Sequence, residues 1–543
     1  MSYEIAIRKL QQNWKSGLTV SLVSIPLSVS LAVASQSTPV AGIITAIWAG
    51  LFAALFGGSH FNIVGPTGAL SGFLATYAIM HGSDTLASLA IVVGLFTLVA
   101  YFFKLERFLV FVPASTIQGF TVGVAFIIAL NQLNYAVGLT GLPLHEKFID
   151  NITESFRHLG GASAVAVTFF AVSLAALFAL RRLTPSIPGP IVIAPIGILF
   201  GYLSSARLIP YGLQTLGMKF PDMSAKLFEL PTLQFDPSLL TAGLAVAFVA
   251  ILETMISAKI ADGMTKTRHD KRKEMFGLGL ANLASGAMGG IPATAALART
   301  SLNVKCGATD RMSGIVNAVA VAVISLVLLR YFQFIPMAVI AAILVFVAAR
   351  MIEHEHLVRM YRVDRKGFFL AIAVALVTVA VDPIIGILAG MAVALLIFVE
   401  KLSRGQFDLI INGANKQIVD KISGETLRHM AEDCDTLVYS VKGQLAYVNA
   451  QAHISRFEER LAGHATVVLR LRELYFIDMD GVDAFEEIVE LIKGQKKAVY
   501  VTGVNPLIAA MLQESKHYRQ LKEEGKVLER TSDVLKILDY QVG

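Results

Sequence analysis

Two short stretches hold the residues best suited to chemistry, and their chemistry is binding. The first is Gly289-Gly290-Ile291-Pro292-Ala293-Thr294-Ala295-Ala296-Leu297-Ala298-Arg299. Gly-Gly and Pro interrupt a helix, so the backbone is expected to run extended until about Pro292. Ala, Leu and Arg then restart a helix, with Thr294 placed to cap it. A helix that starts after a break in apolar surroundings presents free N–H groups and a partial positive charge, an anion site made of backbone. The second stretch, Phe61-Asn62-Ile63-Val64-Gly65-Pro66-Thr67-Gly68-Ala69-Leu70, repeats the design. It sets Thr67, Gly68 and Ala69 against Thr294, Ala295 and Ala296. Small side chains let an anion approach the N–H groups; their plainer use is close helix packing.

Glu253 is the sharpest single residue. It lies in the otherwise apolar run Leu239–Met255, where an ionised carboxylate is costly unless partnered. A protonatable or cation-binding acid beside an anion site is what coupled uptake requires, and Ser257 follows one turn later on the same face. The alternative is a structural ion pair with Lys259 or Arg299. Arg299 itself either raises the positive potential near the restarted helix or faces the cytoplasm at a helix end. Glu353-His354-Glu355-His356 resembles a metal cluster only superficially and is expected to be solvated. No nucleophile–base set, metal cluster or phosphate loop is present, which disfavours an enzyme and any cofactor.

The elements that must position these residues are membrane spans. Of 543 residues, 55% are hydrophobic and 16% charged, with mean hydropathy +0.64, so the bulk of the chain belongs in a lipid bilayer. The net charge of +6 sits in loops between apolar runs, which suits lipid headgroups rather than nucleic acid. Cys306 and Cys434 are far apart, and no disulfide framework is expected.

The chain also repeats itself. Gly17-Leu18-Thr19-Val20 recurs as Gly243-Leu244-Ala245-Val246, and Arg107-Phe108, Phe111-Val112-Pro113 and Ile117 recur as Arg330-Tyr331, Phe334-Ile335-Pro336 and Ile340. With the Thr67 and Thr294 quartets, three blocks in one order at nearly one spacing indicate an internal duplication. Interrupted apolar segments at matching places of two halves point to a transporter's binding site. Apolar segments fall near 16–34, 41–57, 66–80, 86–103, 112–137, 162–180 and 189–204, then 239–260, 274–288, 293–303, 312–329, 335–350, 366–381 and 383–400. Those at 66–80 and 293–303 are too short to span about 30 Å. The reading is an α-helical membrane protein of about fourteen transmembrane segments in two seven-segment repeats, inverted because each half crosses an odd number of times.

Loop charges agree with a cytoplasmic N-terminus. Lys104 and Arg107, Arg181 and Arg182, the run Lys259 to Lys273, Arg350 to Lys366, and Lys401 with Arg404 all fall on one side by parity, with Arg330 the exception. From Gly405 the pattern changes to short strands at Phe407–Asn412, Leu437–Tyr447, Val467–Leu471 and Val499–Thr502, alternating with helices near 450–461, 482–493, 506–516 and 531–539. This reads as a small cytoplasmic α/β domain. The division is therefore 1–15 as a polar N-terminal segment, 16–225 and 226–404 as the two membrane repeats, and 405–543 as the soluble domain.

Ile291-Pro292-Ala293-Thr294 with Ala298-Arg299-Thr300 and Asn303, the early Ile25-Pro26 and the α/β tail together resemble the sulphate permease family of anion transporters, also called solute carrier family 26. The stretch Ala261-Asp262-Gly263-Met264-Thr265-Lys266-Thr267-Arg268-His269 is similar to its bacterial bicarbonate-transporter branch. The resemblance implies a core and a gate domain, a cytoplasmic STAS domain and a homodimer. It also implies that Glu253 and Ser257 hold the coupling ion, sodium or a proton; a sodium site would take in Glu253, Ser257 and Ala295. Leu297 stands where sodium-dependent members can carry a Thr ligand, which leaves proton coupling open. Leu27 and Leu31 replace the Gln and aromatic residue often seen after the family's Ile-Pro, so selectivity is not carried over. In the tail, Asp480 stands where many STAS domains have a phosphorylatable Ser or Thr, and its carboxylate is expected to cap the following helix.

The expectation is a secondary-active anion transporter in a bacterial cytoplasmic membrane, working by cation-coupled symport and alternating access. Bicarbonate or sulphate lead as substrates, with dicarboxylates behind. A passive anion channel and a nucleobase permease of the same fold are the alternatives; Glu253 argues against the first and the soluble tail against the second.

Overall fold

The computed structural model describes residues 3–107, 112–143, 145, 148–184, 188–220, 232–234, 236–381, 383–412, 418–423, 436–460 and 464–539. It divides into two compact units, residues 1–394 and 395–543. The first half of the helical unit runs α1 (Tyr3–Ala34), α2 (Pro39–Phe56), α3 (Gly68–His81), α4 (Thr85–Phe102), α5 (Ala114–Leu130), α6 (Ala164–Leu183) and α7 (Gly189–Ser205). The second half runs α8 (Ser238–Thr265), α9 (Lys271–Ala287), α10 (Leu297–Lys305), α11 (Met312–Phe332), α12 (Met337–Met351), α13 (Arg365–Ala380) and α14 (Pro383–Ser403), with the division between units falling inside α14. Among the described residues, 9 helices are long and apolar enough to cross a membrane. The two that follow the broken stretches, α3 with 14 residues and α10 with 9, are too short to do so at 1.5 Å per residue.

The helix of the first span begins inside the segment read as a polar N-terminal stretch. Helix α1 begins at Tyr3 and continues through Pro26. Buried Asn13 explains the extension: its Oδ1 accepts from the backbone N–H of Thr309 at 2.8 Å and of Asp310 at 3.2 Å, while Lys9 Nζ pairs with the Asp310 carboxylate at 2.5 Å. These bonds tie the start of α1 to the loop after α10.

The helices sort into two bundles. In one, α1 packs on α2 and α11, α9 on α2 and α4, and α8 on α4 and α10; in the other, α5 packs on α12 and α13, and α6 on α12. The packing is reciprocal between halves: α1 meets α11 as α8 meets α4, and α5 meets α13 as α12 meets α6. The duplicated glycines sit at these seams. A Cβ on Gly17 would lie 2.6 Å from the Ser313 carbonyl oxygen of α11, and one on Gly243 would lie 2.4 Å from Val92 Cγ1 of α4. Only glycine permits so close an approach. The duplicated prolines, Pro113 and Pro336, stand at the N-cap positions of α5 and α12.

In the second unit a six-stranded sheet has the order β4-β3-β5-β6-β7-β8, after two short strands, β1 (Val64–Gly65) and β2 (Thr294–Ala295), that belong to the helical unit. Its strands are β3 (Gln406–Asn412), β4 (Ile418–Ser423), β5 (Thr436–Leu445), β6 (Thr466–Ile477), β7 (Ala498–Thr502) and β8 (Val527–Leu528). Strands β5 to β8 are parallel and β3 is antiparallel to both neighbours. Strands β4 and β8 are additions to the sequence reading; β4 is polar and β8 has two residues, so neither shows an apolar run. Tyr439, Phe457, Phe485 and Val489 fill the core under the sheet.

The helix cap in this unit is Asp478, not Asp480. Asp478 Oδ1 accepts from Gly481 N at 2.9 Å, and Asp480 is exposed two residues further on. The carboxylate three residues before the first free N–H has the reach, and the later one has already entered the helix. Cys434 lies outside the described residues, and Cys306 is partly exposed. Glu353, His354, Glu355 and His356 are all exposed.

The helical unit satisfies its backbone internally, so removal of residues 406–543 is expected to leave it inserted and folded. Size-exclusion profiles and thermal melting of the truncated chain in detergent check this; aggregation in place of a single folded species contradicts the division.

Candidate functional site

The chain leaves helical geometry twice inside the first bundle, and the two breaks meet. Strands β1 and β2 pair antiparallel, Val64 with Ala295 and Gly65 with Thr294. Ala296 N donates to the Ile63 carbonyl at 3.0 Å. A backbone that stops being helical within apolar surroundings must find partners for every N–H and C=O, or lose about 1–3 kcal/mol for each. Polar side chains on neighbouring helices supply the rest. Asn282 of α9 accepts from Ala293 N at 2.8 Å and donates to Ala293 O at 3.0 Å. The Thr45 hydroxyl oxygen of α2 accepts from Ile291 N at 2.8 Å, and Ser285 donates to Ile291 O at 2.8 Å. On the other break, Thr300 accepts from Ile63 N at 3.1 Å and Asn303 donates to Phe61 O at 3.0 Å.

The pairing moves the restart of α10. Thr294 and Ala295 belong to β2, so the backbone stays extended past Pro292 and the N-cap is Ala296. Thr294 therefore does not cap the helix. Its hydroxyl donates to Ala250 O of α8 at 3.0 Å and contacts the Thr254 hydroxyl at 2.8 Å, which in turn accepts from Ala295 N at 3.1 Å. The matching N-cap of α3 is Thr67. The two quartets thus align two residues away from their sequence match: Thr67 corresponds to Ala296.

Neither helix start carries a side-chain cap. Thr67 has a hydroxyl in the right place but donates it to Glu253 Oε2 at 2.9 Å. The leading N–H groups of α3, at Gly68 and Ala69, and those of α10, after Ala296, therefore have no side-chain cap, and both helix dipoles present positive ends there. Arg299 adds its charge from within. It is 2% exposed, and its guanidinium donates to Pro66 O at 2.5 Å and reaches Ser28 Oγ at 3.5 Å. It bridges α10 to the residue before the α3 cap; among the described residues no ion pair joins it to Glu253. The Arg299 and Lys259 pairings considered for Glu253 are not formed.

Ser257 goes elsewhere. Its hydroxyl lies 3.1 Å from Asn62 Oδ1 and 3.0 Å from Thr300 Oγ1, both of which are occupied in holding the first break. The structure joins Glu253 to Thr67; among the described residues no hydrogen bond joins Ser257 or Ala295 to either of them. Helical spacing placed Ser257 on the face of Glu253, but the hydrogen-bond partners on that face change within one turn.

Glu274, at the start of α9, is a functional candidate that sequence reasoning missed because it stands beside a basic loop. It is 3% exposed. Its Oε2 accepts from Gly58 N at 2.8 Å and Ser59 N at 2.7 Å, and its Oε1 from Asn62 Nδ2 at 2.6 Å. With Asn62, Ser257 and Thr300 it forms a polar network that fixes the approach to β1. Its only sequence signal was the Gly57-Gly58 turn, which needed an acceptor.

Replacing Glu274 with Ala is expected to cost about 3 kcal/mol or more, since three buried donors lose their acceptor. Glu274→Gln is expected to fall between this variant and the natural chain. Thermal melting in nanodiscs measures it, and an unchanged melt for Glu274→Ala would show that the network does not hold the loop.

The Sulfate permease family model matches residues 10–374, and the STAS domain model matches residues 428–529. The chain is 30% identical over 507 residues to YvdB of Bacillus subtilis, a protein grouped by name with sulphate transporters, with 92% of each chain covered. It is 26% identical over 543 residues to the bicarbonate transporter BicA of Synechocystis, covering 96% of this chain and 93% of the relative. In fold it resembles the murine Slc26a9 anion transporter in the inward-facing state, with TM-score 0.82 at 14% identity over 97% of this chain and 91% of that one. It also resembles the transmembrane domain of a cyanobacterial BicA, with TM-score 0.62 at 24% identity over 70% of this chain and 98% of that one. Paired helix starts in a two-bundle membrane unit, a match across most of that unit, and a relative aligned end to end lead to one conclusion: the chain belongs to the sulfate permease family and carries a STAS domain after its membrane part.

Proposed function

We propose that this chain is a secondary-active transporter of small oxyanions, coupled to a cation through Glu253. Membership of the family makes it a transporter and not an enzyme. Sulphate and bicarbonate lead as substrates because relatives named for each align along nearly the whole chain; dicarboxylates come behind. The observation that carries the coupling is the hydrogen bond from Thr67 to Glu253. It places the one carboxylate of α8's apolar run on the residue that starts the anion-binding helix. A cation or proton on Glu253 therefore changes the charge felt by an anion one residue away.

Alternating access is supported by where Gly68 sits. A Cβ there would lie 2.7 Å from Ile128 Cδ1 of α5 and 3.1 Å from Met351 Sδ of α12, both in the second bundle. The anion site thus lies on the seam between the core bundle, which holds both breaks, and a gate bundle that covers it. Reciprocal packing of the halves, with β1 antiparallel to β2, supports inverted repeats. The basic loop clusters support cytoplasmic termini in the cell's inner membrane, and the family supports a homodimer. A proton is favoured over sodium as the coupling ion. Ser257 is committed to Asn62 and Thr300, and Leu297 offers no oxygen. The chain needs no cofactor and no nucleic acid for this work.

Replacing Gly68 with Phe is expected to abolish uptake of labelled sulphate and bicarbonate in proteoliposomes while the folded yield is kept. Transport by that variant at the natural rate places the site elsewhere.

Glu253→Gln keeps shape and hydrogen-bonding capacity but cannot cycle a proton. Accumulation driven by a gradient is expected to fail while anion-for-anion exchange continues. In the natural chain, proton-coupled uptake rises as external pH falls; uptake that follows sodium and ignores the proton gradient assigns sodium instead. Undiminished concentrative uptake by Glu253→Gln under both gradients removes Glu253 from the mechanism.

A further inference from the structure

Helix α6 is built to face lipid. Of its 20 residues only Ser173 and Leu177 are buried, and Val172, Phe178 and Leu183 are exposed apolar side chains. At 1.5 Å per residue the helix measures about 30 Å, the thickness of the hydrocarbon core. Its last turn, which carries Arg181 and Arg182, therefore stands at the level of the lipid headgroups. On the orientation proposed above, these are the headgroups of the cytoplasmic leaflet.

A second helix end meets it there. Helix α6 packs on α12, and Phe178 meets Phe346 edge to face with ring centres 5.2 Å apart. Both phenylalanines stand little more than one turn from their helix ends, so the two C-termini lie side by side. Arg181 and Arg182 follow Phe178, and Arg350 follows Phe346, at the three- and four-residue spacings that share a helix face. The Arg350 guanidinium folds back to 5.9 Å from the centre of the Phe346 ring. It lies in reach of the Arg181 charge across the seam.

Among the described residues no carboxylate forms an ion pair with Arg181, Arg182 or Arg350. Pro185, Ser186 and Ile187, close behind Arg182 in sequence, add none. A helix dipole favours a cation at each C-terminus. It does not require the cations of two ends to converge, and like charges brought together repel. An anion between them replaces that repulsion with attraction.

We propose that this seam binds the phosphate of an anionic phospholipid, held by Arg181, Arg182 and Arg350 from the two helix ends. Guanidinium forks match the oxygens of a phosphate. The exposed apolar side of α6 runs on to Leu183, 78% exposed, and gives the acyl chains their place. That continuity with the lipid-facing surface selects a headgroup over a free phosphate ion. The consequence falls on the gate bundle. Met351, next to Arg350, has its sulfur 3.1 Å from where a Cβ on Gly68 would lie. A lipid that ties α12 to α6 therefore bears on the residue that covers the start of α3. This effect on transport rests on the site reading proposed above; the lipid binding does not.

The test uses the full-length chain in nanodiscs of phosphatidylcholine, with and without phosphatidylglycerol. Phosphatidylglycerol should raise the melting temperature and stay bound in native mass spectra. Arg181→Gln combined with Arg350→Gln should cut its retention about tenfold, as loss of charge-assisted hydrogen bonds requires, and abolish the thermal gain. In phosphatidylcholine alone this double variant should melt no lower than the natural chain, because it only relieves repulsion. A lower melt there makes the arginines structural and overturns the site. Lys104→Gln removes an exposed charge from another loop and should keep the full gain; an equal loss would mean diffuse surface charge and no site. Inorganic phosphate in phosphatidylcholine discs should give no gain. If it matches phosphatidylglycerol, the occupant is a soluble anion and the lipid proposal falls.

Gly68→Phe should still retain phosphatidylglycerol, which keeps this site distinct from the helix starts. In proteoliposomes, phosphatidylglycerol should speed sulphate or bicarbonate uptake by the natural chain and not by the double variant. Lipid retention with uptake indifferent to phosphatidylglycerol supports the lipid site and overturns its action on the gate.

Discussion

An apolar environment gives a broken helix no water to bond with, and the rest of this molecule depends on how that is met. Two segments leave helical geometry in the middle of one bundle. They pair with each other as β1 and β2. Asn282, Thr45, Ser285, Thr300 and Asn303 take up the backbone groups that the pairing leaves over. Because the breaks are satisfied at their strands, the N–H groups of the helix starts that follow are not needed for structure. In the function proposed above, they serve an anion.

The same low-dielectric setting separates two acids by role. Glu274 receives three hydrogen bonds and is closed off by them, so it behaves as a rigid acceptor that shapes the loop before β1. Glu253 receives one, from Thr67. A carboxylate with unused lone pairs beside an uncapped helix has capacity for a cation or proton, and a saturated carboxylate does not. Arg299 completes the field without exposing itself: its guanidinium is tied to the Pro66 carbonyl, so it adds positive potential behind the site and cannot clamp a substrate outright.

Division into two bundles gives these local charges a mechanical meaning. Both breaks and α8 lie in the core bundle, while Ile128 and Met351, against Gly68, belong to helices of the other. With glycine at that seam, Ile128 and Met351 pack directly against the helix start. The second unit, by contrast, has its own core of Tyr439, Phe457 and Phe485 and stands as a separate fold.

Periodicity, composition and duplication determined which segments are helices and near where they break, and singled out Thr67, Gly68 and Glu253, because those features are local or repeat along the chain. The same reading gave the tail its central strands, whose apolar runs are continuous, and missed β4 and β8, whose runs are not. Tertiary structure alone decided partners. Thr294 looked like a cap and is a strand residue, because β1 arrives to pair with it from far along the chain. Ser257 shares a helix face with Glu253 yet turns to Asn62 and Thr300, and Asp478 takes the cap expected of Asp480. Glu274 gave almost no signal, since a buried acceptor is recognised only once its donors, at Gly58, Ser59 and Asn62, have been brought around it. Spacing along one chain fixes which residues share a face, but a hydrogen bond also requires the element opposite, and only the packed fold supplies that.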